Sequence, residues 1–266
     1  MHHSDLPYAS EKIARLKSEF EVDIDKDWGD DSGSWKDGFW DKDELDRLHN
    51  TLACLADCIG GPQKLKECTG GVTVRKADIG SHGGEALHRR VAFSTKQTFS
   101  PWTVVHEFAH AWDANFKWGL ARALEKYTGG FTSRTLSLVK RLAGRSDSAR
   151  FSEENKPGRH GRLPGCNAAG YFYGDKPSGS NWKFNRIEDF AESVAMYVGW
   201  ERDNDLSAWA KERIDRYLLE DGARHKYFGV DNWAYYRNYF YPKNGDYTKT
   251  KRWQFMDDLV KGRISI

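Results

Sequence analysis

Two histidines four residues apart, inside a stretch that marks its own helical start, constrain this chain more than any other feature. The stretch is SPWTVVHEFAHAWDANF, residues 100–116. Serine is a good helix N-cap and proline is favoured at the first helical position, so Ser100-Pro101 predicts a helix beginning there. Val105, Phe108, Ala109, Trp112 and Phe116 recur at helical spacing and predict an apolar face. A break is expected near Asn115, after which WGLARALEKYTGG continues the pattern. His106 and His110 share one side of this helix, so both imidazoles can ligate one metal ion. Glu107 stands beside them, where it can accept a proton from a bound water. Chance produces such a pentapeptide in roughly one chain per hundred of this length. The competing reading is a surface helix that happens to carry two histidines.

Imidazole suits zinc better than calcium or magnesium, and a hydrolytic zinc site needs three protein ligands plus one open position. The metzincin continuation would put a third histidine at position 116 and a glycine at 113. This chain has Phe116 and Asp113, so that class is disfavoured, and Asp113 is expected to support the site rather than ligate. The inverted HxxEH order is absent. The remaining source is NRIEDFAESVAMYVGW, residues 185–200, a second predicted helix on which Glu188 and Glu192 share a face. One carboxylate can ligate zinc, and the next turn's carboxylate can hold a liganding histidine through its other ring nitrogen. Each also has an ordinary reading. Asn185 could cap the helix with Glu188 as the acid of a capping box, and Glu192 could be a solvated charge. The upstream HEFAH tips both toward the metal.

The rest of the chain supports one sizeable core. Its 266 residues are 39% hydrophobic and 14% aromatic, with eleven tryptophans, which excludes a disordered chain. A net charge of +2 creates no global field favouring nucleic acid or an anionic membrane. No apolar run is long enough to span a membrane. The opening MHHSDLPYAS carries no stretch resembling a signal peptide. Cys54 and Cys58 lie on one face of a predicted helix, where bonding to each other is poor. Pairing with Cys68 or Cys166, a zinc cluster and buried thiols all stay open. Asp23, Asp25 and Asp27 suggest calcium, but Trp28 and Ser34 occupy the glycine and glutamate positions of an EF-hand, so a solvated acidic loop is expected.

Helices are predicted over SEKIARLKSEFEV and over DKDELDRLHNTLACLADCIGG, where Leu45, Leu48, Leu52, Leu55 and Cys58 form the apolar face and Gly60-Gly61 the stop. GGVTVRKADIG and EALHRRVAFST predict two extended strands separated by the turn-rich SHGGE. We expect an α+β, zincin-like fold: a small mixed β-sheet packed on the HExxH helix, with a mainly helical C-terminal lobe. Residues 1–266 are expected to form a single domain. Within it, residues 1–128 make a sheet-and-helix lobe, 129–184 an irregular insert, and 185–266 a helical lobe bearing the third ligand.

HEFAHAWD followed downstream by EDFAES resembles the gluzincin group of zinc metallopeptidases, and is similar in detail to anthrax-lethal-factor-like catalytic domains. The resemblance covers roughly residues 41–200. It implies one catalytic zinc held by His106, His110 and Glu188, Glu107 as general base, and Glu192 as the acid that orients a liganding histidine. It also implies an oxyanion-steadying tyrosine seven residues before the third ligand, where this chain has Asn181. Tyr173 of GYFYG is the substitute expected, with Tyr171, His160 and His225 as further candidates. An aspzincin pattern fails, because Gly170 occupies the position needed before Tyr173-Gly174.

The expected function is therefore zinc-dependent hydrolysis of a peptide or protein substrate, in a secreted, toxin-like setting. HRRVAFST is expected either as an edge strand that an extended peptide can join or as an ordinary sheet strand. The basic segment 140–162 is expected as a solvated insert, with a lid as its alternative, and WAYYRNYFY as core and packing surface. Two other functions remain. One is a zinc-binding interaction module that has lost catalysis. The other is an aromatic-rich carbohydrate or cell-wall binding protein.

Overall fold

Asp41 opens the first long helix with a reciprocal cap. Its side chain accepts from the Glu44 backbone N–H at 2.7 Å, and the Glu44 carboxylate accepts from the Asp41 N–H at 3.2 Å. The helix, α2 (Lys42–Ile59), follows α1 (Leu6–Phe20) and the short strand β1 (Val22–Ile24). It ends at Gly60, which takes the left-handed conformation at φ 109°. Leu45, Leu48, Leu52 and Leu55 are buried as predicted, while Cys58, expected on the same face, is only half-buried. These details come from a computed structural model, which describes residues 6–25, 40–80, 82–97, 99–129, 131–132, 171–172, 186–201 and 247–264.

A helix that the sequence patterns did not predict follows at once: α3 (Pro62–Thr69), with proline in its first turn and Gly70 in the left-handed region as its stop. Eight residues are too few for apolar periodicity to declare itself. Gly70 is needed for a second reason. A Cβ there would stand 2.6 Å from the Asn115 Oδ1. The Asn115 amide donates to the carbonyls of Glu67 and Cys68 at 3.1 and 3.0 Å, satisfying the exposed end of α3 from the end of another helix.

Four of the described strands form a mixed sheet in the order β1, β2 (Val72–Ala77), β4 (Arg90–Ser94), β3 (Gly84–Leu87). β1 and β2 run parallel, β2 and β4 run parallel, and β3 returns antiparallel along β4. The stretch predicted as one strand, EALHRRVAFST, is thus a hairpin that turns at His88-Arg89. His88 adopts φ 48° there, a conformation costly for a residue other than glycine, so nothing in its identity announced the turn. The hairpin also decides between the two readings of HRRVAFST in favour of an ordinary sheet strand. HRRVAFST supplies the interior strand β4, whereas β3 is the outer one. On β2, Val72, Val74 and Lys76 share the buried face. The Lys76 ammonium is kept there by an ion pair with Glu44 and by the Trp40 ring, 5.9 Å from its centroid.

The chain divides into two compact units: Met1–Gly119 with Ala191–Ala210 and Leu259–Ile266, and Leu120–Phe190 with Lys211–Asp258. The first holds the sheet, α1 to α3, and α4 (Pro101–Asn115), which packs on β3 and β4. The second holds α5 (Gly119–Thr128) from Leu120 onward, and a two-stranded antiparallel pair, β5 (Phe131–Thr132) with β6 (Tyr171–Phe172). Two further helices are α6 (Arg186–Glu201) and α7 (Lys251–Val260). The protein is mixed α+β, with a small mixed sheet and mostly helical content. Among the described residues no helix is long and apolar enough to cross a membrane.

Candidate metal centre

Helix α4 starts where its caps predict. The Ser100 hydroxyl accepts from the Thr103 N–H at 3.1 Å, and Pro101 fills the first turn. The helix is more deeply buried than a one-faced pattern implies. Val104, Val105, Phe108, Ala109, Ala111 and Trp112 are all in the core, and so are the polar Glu107, His110 and Asp113. A surface helix carrying two incidental histidines is therefore the wrong reading. Phe116 is the exception to the expected apolar face: it lies beyond the last turn, at the C-cap, and is 40% exposed.

The two imidazoles converge. The Nε2 atoms of His106 and His110 are 3.0 Å apart, with the ring centroids 4.6 Å apart and the planes nearly perpendicular. Glu188 and Glu192 lie one turn apart on α6. The Glu192 Oε1 stands 3.6 Å from the Nδ1 of His106, longer than a hydrogen bond but within ion-pair reach. That contact leaves the His106 Nε2 facing His110. One oxygen of Glu188 and one ring nitrogen of each histidine lie within 4.8 Å of one another, and among the described residues this is the one cluster able to hold a metal ion.

Donor chemistry and spacing both suit a small divalent cation. Nitrogens bonded at about 2.05 Å to a tetrahedral ion stand about 3.3 Å apart, close to the separation of the two histidines. Two imidazoles and one carboxylate leave a fourth position open. His106, His110 and Glu188 could thus bind one metal, and Glu192 is placed to hold the His106 tautomer.

Glu107 and Asp113 lie outside this cluster. The Glu107 side chain is 5% exposed and lies against β3, close to the backbone of Gly84. Asp113 is fully buried one turn beyond His110, and its carbonyl accepts the Trp118 N–H at 2.8 Å. The predicted Tyr173, together with Asn181, His160, His225, Cys166, the basic segment 140–162 and the aromatic WAYYRNYFY, lies outside the described residues. So do Asp27, Trp28 and Ser34 of the acidic loop. Asp23 of that loop lies in β1 and pairs with Lys17 at 2.5 Å.

Cys54 and Cys58 are half-buried and Cys68 is buried, with no disulfide among the three. Burial pushes the Cys68 thiol up to about 11.

One structural feature of the site carried no sequence signal. Arg252 on α7 donates two hydrogen bonds to Asp189, at 2.8 and 3.1 Å, and both side chains are almost wholly buried. Arg186 on the same turn of α6 meets Glu125 at 3.5 Å. The turn that carries Glu188 is therefore tied down on both sides of the ligand. Compared with protein-family models, with curated proteins and with solved structures, the chain finds no match.

Proposed function

We propose that this protein is a gluzincin-type zinc endopeptidase. The observation that carries the reading is the convergence of His106, His110 and Glu188 on α4 and α6, with Glu192 behind His106 and Glu107 kept out of the ligand set. Imidazole and carboxylate donors in this number favour zinc among the common divalent ions. Bound there, zinc supplies a polarised carbonyl and a water acidic enough to lose its proton near neutrality.

The chain's own residues do the remainder. The Glu107 carboxylate takes the proton of the attacking water and returns it to the leaving amine. The Glu192 carboxylate, at ion-pair distance from the His106 Nδ1, favours the tautomer with its proton there, so that the Nε2 lone pair stays aimed at the ligand position. β3 is one of the two outer strands of the sheet, packs on α4 beside Glu107, and carries Leu87 at 69% exposure. An extended peptide that hydrogen-bonds to this edge lies alongside the general base, which supports a peptide rather than a small-molecule substrate.

Metal analysis and cleavage of a peptide library, run on the wild type and on Glu107→Gln, test the reading. Both proteins should carry one zinc per chain, and the variant should lose activity by about 100- to 10,000-fold. Equal cleavage by the two zinc-loaded proteins would remove the peptidase assignment and leave a binding module. Purified protein without zinc but with tight glycan affinity would favour a carbohydrate-binding role.

A further inference from the structure

We infer that Gly84 is a positioning residue for Glu107, and that the general base occupies the volume a side chain on the edge strand would otherwise fill. The catalytic part of this inference rests on the peptidase reading. The steric part does not.

A Cβ built on Gly84 would lie 2.5 Å from the Glu107 Cγ, 2.7 Å from its Oε1 and 2.8 Å from its Cδ. Carbon atoms in contact normally stand about 3.5–4.0 Å apart, so three atoms of the carboxylate-bearing arm would be displaced together. The backbone does not explain the glycine. Gly84 has no positive φ and lies in regular antiparallel pairing with Phe93, where any residue could sit. The requirement is space alone, and the group that takes the space is Glu107.

The adjoining glycine supplies a contrast. A Cβ on Gly83 would meet Thr103 at 3.6 and 3.7 Å, which is ordinary contact. Of two consecutive glycines in SHGGE, only the second is pressed against a functional side chain. Glu107 is 5% exposed and enclosed between α4 and β3, so it has little room to retreat. Its reach along α4 and the bare position on β3 together set where the carboxylate stands relative to the histidines one residue before and three after it. An added methyl would move that carboxylate while leaving His106, His110 and Glu188 their own contacts.

Gly84→Ala and Gly83→Ala are compared in the zinc-loaded protein, together with Glu107→Ala and the Gly84→Ala/Glu107→Ala double variant. Gly84→Ala should lower the melting temperature by roughly 2–12 °C, from about 1–3 kcal/mol for one over-packed methyl at about 2–4 °C per kcal/mol in a chain of this size. In the Glu107→Ala background the same change should cost almost nothing, because the obstructing side chain has gone. Gly84→Ala should keep its zinc and lose about a hundredfold in kcat with little change in KM, as expected when a reacting group shifts by about 1 Å. Gly83→Ala should leave both measurements near wild type.

Equal thermal losses in the two backgrounds would overturn the inference, since they would show that Glu107 does not occupy the Gly84 volume. So would full activity in Gly84→Ala, and so would an equal loss in Gly83→Ala. If the wild type cleaves no peptide, the peptidase reading fails by itself, and the thermal cycle still decides whether Gly84 positions Glu107.

Discussion

Arg252→Met removes the cation from a buried pair while keeping most of its apolar stem. Arg252 and Asp189 side chains are 4% and 0% exposed, and their two hydrogen bonds of 2.8 and 3.1 Å form a fork on one carboxylate. Without the guanidinium, Asp189 is left charged in a site closed to water. Losing one member of such a pair costs about 3–5 kcal/mol. For a chain of this length, each kcal/mol moves the melting temperature by about 2–4 °C, so a fall of roughly 6–20 °C is expected. Urea unfolding should show the loss in the midpoint with an unchanged slope. The damage should also reach the metal. Asp189 adjoins Glu188 in the first turn of α6, so releasing that turn should weaken zinc binding by about 10- to 100-fold, as seen when groups that support ligands are removed. The double variant Asp189→Leu/Arg252→Met leaves no orphan charge and should recover most of the stability, but not the zinc affinity. A loss below about 1 kcal/mol in the single variant would refute the reasoning. A double variant less stable than the single one would refute it as well.

Glu192→Gln keeps the volume of the group facing His106 but removes its charge. Zinc affinity measured by competition with a chelator should fall by about 10- to 100-fold, and an unchanged affinity would show that Glu192 does not orient the ligand. Cys68 links stability to alkaline pH. Burial raises its pKa in the folded protein from the usual 9.0 to about 11, so unfolding releases a proton only above the lower value. Its contribution is therefore fully present below pH 9 and is lost as pH rises toward 11, to the extent of about 2–3 kcal/mol. Cys68→Ala should flatten that part of the stability curve, and an unchanged slope between these values would show the thiol to be accessible to water.

Local hydrogen bonding and local periodicity were readable in the residues. Ser100-Pro101, the Asp41 and Glu44 cap and the Gly60 stop mark helix ends because each acts on backbone groups within one turn of itself. Residues four apart share a helix face whatever surrounds them, which is why the His106–His110 and Glu188–Glu192 pairings were legible. The hairpin at His88 was not, because its turn uses a left-handed residue without a glycine to mark it. Phe116 departs from the predicted apolar face for a related reason: a helical wheel continues past the point where the helix ends.

Everything that joins distant segments was decided by tertiary structure alone. The Arg252 partner of Asp189 lies 63 residues away, and in a sequence pattern any arginine or lysine of the chain could take its place. Whether HRRVAFST is an edge or an ordinary sheet strand depends on pairing order, and the order that puts β4 between β2 and β3 makes it interior and leaves Gly84–Leu87 at the edge. The demand for glycine at position 84 exists only because α4 lays Glu107 across that strand. HEFAH and EDFAE carry the donor atoms and their facing within each helix. Their convergence on one point depends on how the helices pack, because long-range geometry is set by the shape of the whole core and not by the few residues that each motif contains.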